Sequence, residues 1–163
     1  MLVMGIDPGT ASTGYGLVRE NQDGSLSAVD FGVISTPSSS AMPERLLQLF
    51  NALQEILHHH SPHCGAVEKL YFSRNVKTAM SVGQARGVAL LALAKGKIPA
   101  GEYTPREIKQ AVVGYGNADK KQVQEMVKAI LGLDELPQPD DAADALAVAI
   151  CHIHSRQDWL KES

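Results

Sequence analysis

Residues 2–9 read Leu-Val-Met-Gly-Ile-Asp-Pro-Gly, and this stretch decides the fold. Its first five residues are apolar or glycine, which is typical of a strand covered on both faces of a sheet. Pro8 and Gly9 then end the strand, because proline lacks the N–H of a sheet ladder and glycine favours turns. The strand therefore ends on a charged residue, Asp7. A carboxylate at the end of a buried strand is costly unless something compensates its charge.

The rest of the chain predicts a mixed sheet with helices on its faces. Strands over 14–20 and 26–35 follow the first one and are joined by a turn at Asn21–Gly24. From there helices and strands alternate, which favours an α/β fold with five strands. Apolar periodicity, prolines and glycines set the other bounds: a helix over 43–60, a strand over 65–68, a helix over 76–94, a strand over 98–103, and helices over 105–113, 119–131 and about 140–156.

Length and composition narrow the class of protein. The chain has 163 residues, a net charge of −3 and 44% hydrophobic residues, which is ordinary for a globular protein and leaves no room for a two-domain ATPase. No apolar run reaches the ~18 residues of a membrane helix, and the N-terminus lacks the basic start of a signal peptide. With only two cysteines we expect free thiols in the cytoplasm. We expect one domain over residues 1–157 and a short tail over residues 158–163.

The charges are segregated along the chain. Residues 69–128 hold 11 of the 15 lysine and arginine residues but only four acidic residues, whereas both ends of the chain are acidic. This pattern suits a protein that binds a polyanion and has an acidic active site. The same charges could also mix on an ordinary solvated surface.

Two strand-end carboxylates are the first candidates for chemistry. Asp7 ends the first strand, and Glu68 ends the apolar strand over 65–68. In open α/β sheets the functional crevice lies at the carboxyl ends of the strands, so the two acids would emerge there together if their strands are parallel neighbours. One such acid could simply reach solvent or cap a loop. Two at corresponding strand ends favour function.

The last predicted helix supplies two more carboxylates. Asp141 and Asp144 are three residues apart and share one helix face, which continues through Val148 and Cys151 toward the sheet. Asp140 and Asp141 lie in the first turn, where capping and the helix dipole also favour acids. That explanation does not cover Asp144, which lies one turn further in.

Four acids in one cluster predict a divalent metal site. Carboxylates repel one another and need cations to stay ionised together, and oxygen ligands select hard ions such as Mg²⁺ or Mn²⁺. Two ions about 3.5–4 Å apart would suit in-line attack on a phosphodiester. The prediction requires that the fold bring the strand-end acids to the last helix.

Six short motifs occur in order along the chain: Gly5-Ile6-Asp7-Pro8-Gly9, Gly14-Tyr15-Gly16, Ala66-Val67-Glu68, Gly83-Gln84-Ala85-Arg86-Gly87, Val112-Val113-Gly114-Tyr115-Gly116 and Asp141-Ala142-Ala143-Asp144-Ala145-Leu146-Ala147. Each alone is weak, but together they resemble the RuvC-type Holliday-junction resolvases over about residues 1–155. The resemblance implies an RNase H-like fold, in which a five-stranded mixed sheet is flanked by helices. It also implies a homodimeric, Mg²⁺-dependent endonuclease specific for four-way DNA junctions, active in recombination and repair.

The resemblance further implies the products, partners and catalytic residues. Family members nick two strands of like polarity symmetrically and leave 5′-phosphate and 3′-hydroxyl ends. They work with the RuvA–RuvB branch-migration complex in the bacterial cytoplasm. The catalytic and metal-binding acids of the family fall on Asp7, Glu68, Asp141 and Asp144, where two Mg²⁺ ions would bind and Mn²⁺ would substitute.

DNA contacts are expected in the basic middle of the chain. The family has an aromatic residue three positions after the catalytic glutamate, where it stacks on a base near the junction; here Tyr71 holds that position and Phe72 follows it. One of the two rings could instead fill the core. The family's DNA-contacting lysines fall on Lys109 and Lys120, although both could be solvated helix lysines. Weaker candidates for phosphate contacts are Arg74, Lys77 and Lys121.

The helix over 76–94 is the expected dimer interface. Ala79, Gly83, Gly87 and Leu91 follow one another at four-residue spacing, so they share a face that another helix could approach closely. In the resembled family this helix belongs to the dimer interface. Packing within the chain is the alternative.

Other functions fit parts of the sequence. Residues 7–10 also resemble the phosphate loop of actin-like ATPases and sugar kinases, but those proteins bind nucleotide between two such domains. A non-catalytic junction-binding module would gain nothing from four acids facing phosphates. A different nuclease, such as an RNase H or a transposase-like enzyme, would not need the motifs outside the acids. The histidines at 58–60 and 63, with Cys64, fit no common zinc spacing.

Overall fold

The structure is a computed structural model that describes residues 1–69 and 76–161, and for residues 157–161 the backbone alone. Within those ranges it contains five strands and five helices in the predicted order. They are β1 (Leu2–Asp7), β2 (Ser12–Glu20), β3 (Leu26–Ser35), α1 (Met42–His60), β4 (Cys64–Glu68), α2 (Val76–Lys95), β5 (Ala100–Tyr103), α3 (Pro105–Val113), α4 (Lys120–Leu131) and α5 (Asp140–Lys161).

The five strands form one mixed sheet in the order β3-β2-β1-β4-β5. β1 pairs antiparallel with β2, and β2 pairs antiparallel with β3. β4 lies parallel to β1 on its other side, with Ile6 opposite Val67, and β5 lies parallel to β4. The mixed α/β fold is therefore as predicted. Because β1 and β4 are parallel neighbours, Asp7 and Glu68 end their strands at the same edge of the sheet.

Helices cover both faces of the sheet. Leu2, Met4 and Ile6 of β1 pack against α1 and α2 on one face, whereas Val3 packs against α3, α4 and α5 on the other. These four side chains are at most 6% exposed. Burial on both faces explains why β1 is apolar at every position before Asp7 rather than alternating with polar residues.

Helix α5 lies directly on the backbone of β1 and β2. A Cβ atom at Gly5 would overlap the carbonyl oxygen of Ala145, and one at Gly14 would overlap that of Asp141. Glycine at these two positions, together with the alanines of α5, lets the helix approach closely. The approach brings the first two turns of α5 next to the end of β1, where Asp7 lies.

Several predicted helix ends are confirmed in detail. The Thr104 side chain accepts a hydrogen bond from the Glu107 N–H at the start of α3, and Asp119 forms a capping box with Gln122 at the start of α4. Gly114 and Gly132 end these two helices with φ angles of 105° and 62°, a conformation that glycine adopts readily. None of the helices in the described ranges is long and apolar enough to span a membrane.

Three predicted bounds are wrong by more than one residue. β2 begins at Ser12 rather than at residue 14, because Ser12 already pairs with Ser35 of β3. β5 begins at Ala100 rather than at residue 98, because the Ile98 N–H bonds to the Leu93 carbonyl and still closes the end of α2. α5 continues to Lys161, whereas the predicted end lay near Arg156. The longer helix has no glycine or proline to end it between residues 140 and 161.

Candidate active site

Three aspartates meet at the end of β1. Asp7 comes from the strand, and Asp141 and Asp144 come from the first two turns of α5. One carboxylate oxygen from each lies within 4.8 Å of the other two, and all three residues are partly buried. The close packing of α5 on the glycines of β1 and β2 produces this arrangement. The fold therefore makes the contact between strand-end and helix acids that the sequence alone did not show.

Glu68 joins the three aspartates from the neighbouring strand. Its carboxyl group lies next to that of Asp7 and is, after burial, the main cause of the raised pKa of Asp7. The structure thus brings together all four acids that the sequence analysis selected, each from the predicted strand end or helix turn.

The electrostatics of the cluster show that its negative charges outweigh the positive charge nearby. Burial raises the pKa of Asp7 to about 9, and the charge and hydrogen bond of Glu68 add to this rise. The two aspartates of α5 contribute further repulsion. Burial also raises the pKa of Asp144 to about 6, although nearby Lys120 acts in the opposite direction. Asp7 and Asp144 would therefore be ionised together near neutral pH only if a cation joined them.

The donor set fits a hard divalent cation. Every candidate ligand atom in the cluster is a carboxylate oxygen, which is the donor that Mg²⁺ and Mn²⁺ prefer. Within the described residues, no histidine or cysteine side chain belongs to a cluster of three or more groups that could hold a metal ion. His60 instead bonds to Asp30, with 2.9 Å between Nε2 and Oδ2.

Lys120 stands at the rim of the acid cluster. Its Nζ atom lies 3.3 Å from the Asp140 carboxylate and 3.9 Å from that of Asp144. The negative charge of Asp144 is the main reason that the pKa of Lys120 is raised. Asp140 also accepts a hydrogen bond of 3.1 Å from the Gln124 side chain. Asp140, to which the sequence analysis gave no role beyond capping, therefore holds Lys120 next to the cluster.

A cleft of about 260 Å³ opens beside the acids. Glu68 and Asp144 lie on one side of it, and Lys109 of α3 and Lys120 of α4 also line it. Apolar side chains complete its wall: Pro105, Ile108, Val123 and Ala147. Two lysines next to carboxylates in one cleft are a suitable environment for a phosphodiester whose scissile group faces the acids.

The remaining predicted DNA contacts are placed elsewhere. Tyr71, Phe72 and Arg74 lie in residues 70–75, outside the described residues. Lys77 is exposed in the first turn of α2. Lys121 lines a separate groove between α3 and α4, so the structure does not bring it into the cleft with Lys120.

Sequence analysis missed three buried threonines around the loop that follows Asp7. Thr10, Thr13 and Thr36 are each at most 7% exposed. The Thr13 hydroxyl donates to the Gly9 carbonyl and accepts from the Gly9 N–H at 3.2 Å. These contacts fix the turn directly after Asp7. Small hydroxyl residues beside a Pro-Gly turn were the available signal, but Thr10 and Thr36 bond to partners 71 and 26 positions away in sequence.

Comparisons with known proteins agree over nearly the whole chain. The family model described as "Crossover junction endodeoxyribonuclease RuvC" matches residues 3–152. The chain belongs to the RuvC family. RuvC of Desulfitobacterium hafniense is 57% identical over 155 residues, which cover 95% of this chain and 93% of that protein. RuvC of Chloroflexus aurantiacus is also 57% identical, with 95% and 94% covered.

Solved RuvC structures share the fold. Thermus thermophilus RuvC superposes with a TM-score of 0.91 at 36% identity and covers 98% of this chain and 97% of its own. The same protein in complex with a Holliday junction substrate gives a TM-score of 0.88 at 34% identity, with 97% and 96% covered. The resemblance drawn from the six motifs and the expected RNase H-like fold are therefore confirmed. The RuvC family is one of metal-dependent nucleases, which agrees with the acid cluster found here.

Proposed function

We propose that the protein is a structure-specific endonuclease that resolves four-way DNA junctions in recombination and repair. It nicks two strands of like polarity at symmetric positions and leaves 5′-phosphate and 3′-hydroxyl ends. The observation that carries this proposal is the cluster of Asp7, Glu68, Asp141 and Asp144 at one sheet edge, beside a cleft with two lysines. Membership of the RuvC family supports the choice of substrate.

The four acids would hold two Mg²⁺ ions, or Mn²⁺ in their place. Divalent ions bound there supply an activated water and stabilise the leaving 3′-oxygen of the cleaved phosphodiester. Asp7 is central to the ligand set because it lies close both to Glu68 and to the aspartates of α5. It can bind a cation only after losing the proton that burial and its neighbours favour. Lys120 helps to keep Asp144 ionised by lying near its carboxylate.

The chain's own cations bind and orient the DNA in this proposal. Lys109 and Lys120 contact phosphates in the cleft, where both side chains line the wall next to the acids. An ammonium group gives a phosphate a charge-assisted hydrogen bond without reading sequence. Tyr71 or Phe72 stacks on an unpaired base near the junction. Arg74, Lys77 and Lys121 would contact phosphates further from the scissile bond.

The protein acts as a homodimer that pairs through α2. The outer face of this helix carries Val76, Met80 and Leu91, which are 71%, 65% and 59% exposed. A Cβ atom at Gly87, on the same face, would meet no other atom within 4 Å. Large apolar side chains around a glycine favour a second helix packed closely against this face. Ala79 is buried within the chain and would not take part.

The cellular setting follows from the family. We propose that residues 1–157 act as a single nuclease domain in the bacterial cytoplasm, and that the dimer receives junctions from the RuvA–RuvB branch-migration complex. The curated relatives are bacterial RuvC proteins of similar length, which supports this setting.

Substrate choice is the direct test of this function. A labelled mobile four-way junction, a linear duplex of the same sequence and an RNA–DNA hybrid are incubated with the protein and Mg²⁺ or Mn²⁺. Paired nicks in the junction alone, closed by DNA ligase without further processing, are expected. Junction binding without cutting in either metal would indicate a binding module. Equal cutting of duplex or hybrid would indicate another RNase H-like nuclease.

A further inference from the structure

The Thr10 side chain connects the loop after Asp7 to α2. Thr10 is 7% exposed, and its hydroxyl donates a hydrogen bond of 2.9 Å to the backbone carbonyl of Ser81 in α2. Thr10 lies three residues after Asp7; between them the ring of Pro8 fixes its φ angle, and the N–H and carbonyl of Gly9 are both bonded to the Thr13 hydroxyl. Movement of α2 at Ser81 would therefore reach the end of β1 through this hydrogen bond.

The other side of α2 carries the proposed dimer contact. Met80 directly precedes Ser81 and is 65% exposed on the face that would meet the partner subunit. Adjacent residues of one helix move together, because the backbone hydrogen bonds of each turn link them. The Met80–Ser81 segment thus lies between the partner subunit on one side and the loop after Asp7 on the other.

A second tie holds the same loop without involving α2. The Thr36 hydroxyl donates to the Thr10 carbonyl at 2.6 Å, and the Arg45 Nε atom donates to the Thr36 hydroxyl at 2.9 Å. This tie anchors the loop to the segment after β3 and to α1. The loop therefore has two side-chain hydrogen bonds to other elements that can be removed separately, and among the described residues it is the Thr10 hydroxyl that reaches the proposed dimer helix.

We propose that Thr10 is a positioning residue that couples the dimer contact on α2 to the placement of the Asp7 carboxylate. Contact between the two α2 helices then influences both active sites, and the two cuts become interdependent. This inference rests on the proposed function, since it requires a dimer that cuts two strands. Helix α2 would transmit the coupling, because it has the partner subunit on one face and a hydrogen bond to the loop after Asp7 on the other.

A supercoiled plasmid with an extruded cruciform measures the coupling. When both cuts occur within the lifetime of one complex the product is linear DNA, whereas uncoordinated cutting releases nicked circles. Thr10→Val keeps the side-chain shape but removes the hydroxyl donor. We expect it to raise the ratio of nicked to linear product about fivefold, the factor typical of one lost buried hydrogen bond. Junction affinity should be unchanged.

Two matched variants separate coupling from loop stability. Thr36→Val removes the other support of the loop and should keep the wild-type product ratio, and Thr10→Ser should restore it. A wild-type ratio for Thr10→Val, or an equal rise for Thr36→Val, would overturn the proposal. If Thr10→Val does not fold, the ratio of nicked to linear product is measured for Thr10→Ala instead, with the same expected and contradicting results. Failure of wild-type protein to cut the cruciform at all would instead overturn the proposed function.

Discussion

Glu68 and Glu102 are acids on neighbouring parallel strands, but the fold treats them in opposite ways. Glu102 lies opposite Val67 in the β4–β5 register and pairs with Arg86 of α2 on one face of the sheet. Glu68 lies one residue further on, points to the other face and meets Asp7 and the aspartates of α5. One acid has its own cation, whereas the other joins a group in which acids outnumber cations.

This comparison distinguishes charges that stabilise the fold from charges that are arranged for function. The Arg86–Glu102 ion pair neutralises the charges of both side chains within the fold and connects a helix to a strand. The cluster around Asp7 is unfavourable as it stands, because burial and like charges raise the pKa of Asp7 to about 9 and that of Asp144 to about 6. Such an arrangement makes sense if a divalent cation and a phosphate complete it. Four predictions test this contrast.

The largest effect is expected for the acids of α5. Asp144→Asn and Asp141→Asn each remove one negative charge from the proposed metal ligands without changing the size of the side chain. Both should lower the rate of junction cleavage by at least about 100-fold, because mutating a residue that only hydrogen-bonds to a metal ligand already costs about 10–100-fold. Single-turnover cleavage at saturating protein measures the loss, and gel-shift binding in Ca²⁺ provides the control. Full activity of Asp141→Asn would show that Asp141 is not needed for cleavage and only stabilises the N-terminus of α5 as an acid in its first turn.

The second effect concerns the cation at the rim of the cluster. Lys120→Met removes the ammonium group near Asp144 but keeps an unbranched side chain of similar length. It should slow cleavage about 10-fold, because one hydrogen bond to a charged group contributes about 1.5–3 kcal/mol. Lys121→Met is the matched control, because Lys121 lines a different groove. Equal losses for the two variants in the same cleavage assay would show that only general positive charge matters.

The third prediction concerns pH and stability without metal. The pKa of Asp7 is 3.8 in an unfolded chain and about 9 in the fold. Between these values the folded protein holds a proton that the unfolded chain has released, so the free energy of unfolding falls as pH rises across this window. Asp7→Asn does not titrate. It should therefore melt higher than wild type, by more at pH 8 than at pH 5.

Thermal melting in EDTA at both pH values measures this gain, which we expect to reach at least about 3 °C at pH 8, since ~1 kcal/mol shifts the midpoint by about 2–4 °C in a chain of this size. Adding Mg²⁺ should then stabilise wild type more than the variant. A gain that is the same at both pH values would show that the Asp7 charge is already compensated within the fold.

The smallest effect is expected at the Arg86–Glu102 ion pair. Arg86→Met and Glu102→Gln should each lower the melting temperature by a few degrees, because an ion pair that is still partly exposed contributes about 1 kcal/mol or less. Their effects should be non-additive in a double-mutant cycle. Cleavage at 25 °C should stay within about threefold of wild type. A loss as large as that of Asp144→Asn would place the pair in the catalytic machinery.

Sequence patterns predicted the parts of the site that depend on local order. The apolar run before Asp7 predicted a central strand, and the three-residue spacing of Asp141 and Asp144 predicted a shared helix face. Partners that lie far apart in sequence could not be found in this way. Thr10 meets Ser81 across 71 positions. Asp140 meets Lys120 although the whole of α4 and the loop after it lie between them. Periodicity carries no signal for either contact.

Some features were predicted only in part. The end of α5 was predicted too early because the run of apolar residues that marks the helix stops at Ile153, although no glycine or proline ends the helix before Lys161. The base-stacking roles of Tyr71 and Phe72 stay predictions, since both lie outside the described residues. Lys109 and Lys120 were selected by resemblance to the family, and the cleft explains why those two lysines and not Lys121 lie beside the acids.

The most direct test of the central claim is cleavage of a four-way junction by wild type and Asp7→Asn, each with Mg²⁺ and with EDTA. The account predicts symmetric paired nicks only for wild type with Mg²⁺, whereas Asp7→Asn binds the junction with unchanged affinity and does not cut it. Cutting by wild type in EDTA, or by Asp7→Asn at the wild-type rate in Mg²⁺, would contradict a metal-dependent site built on this carboxylate.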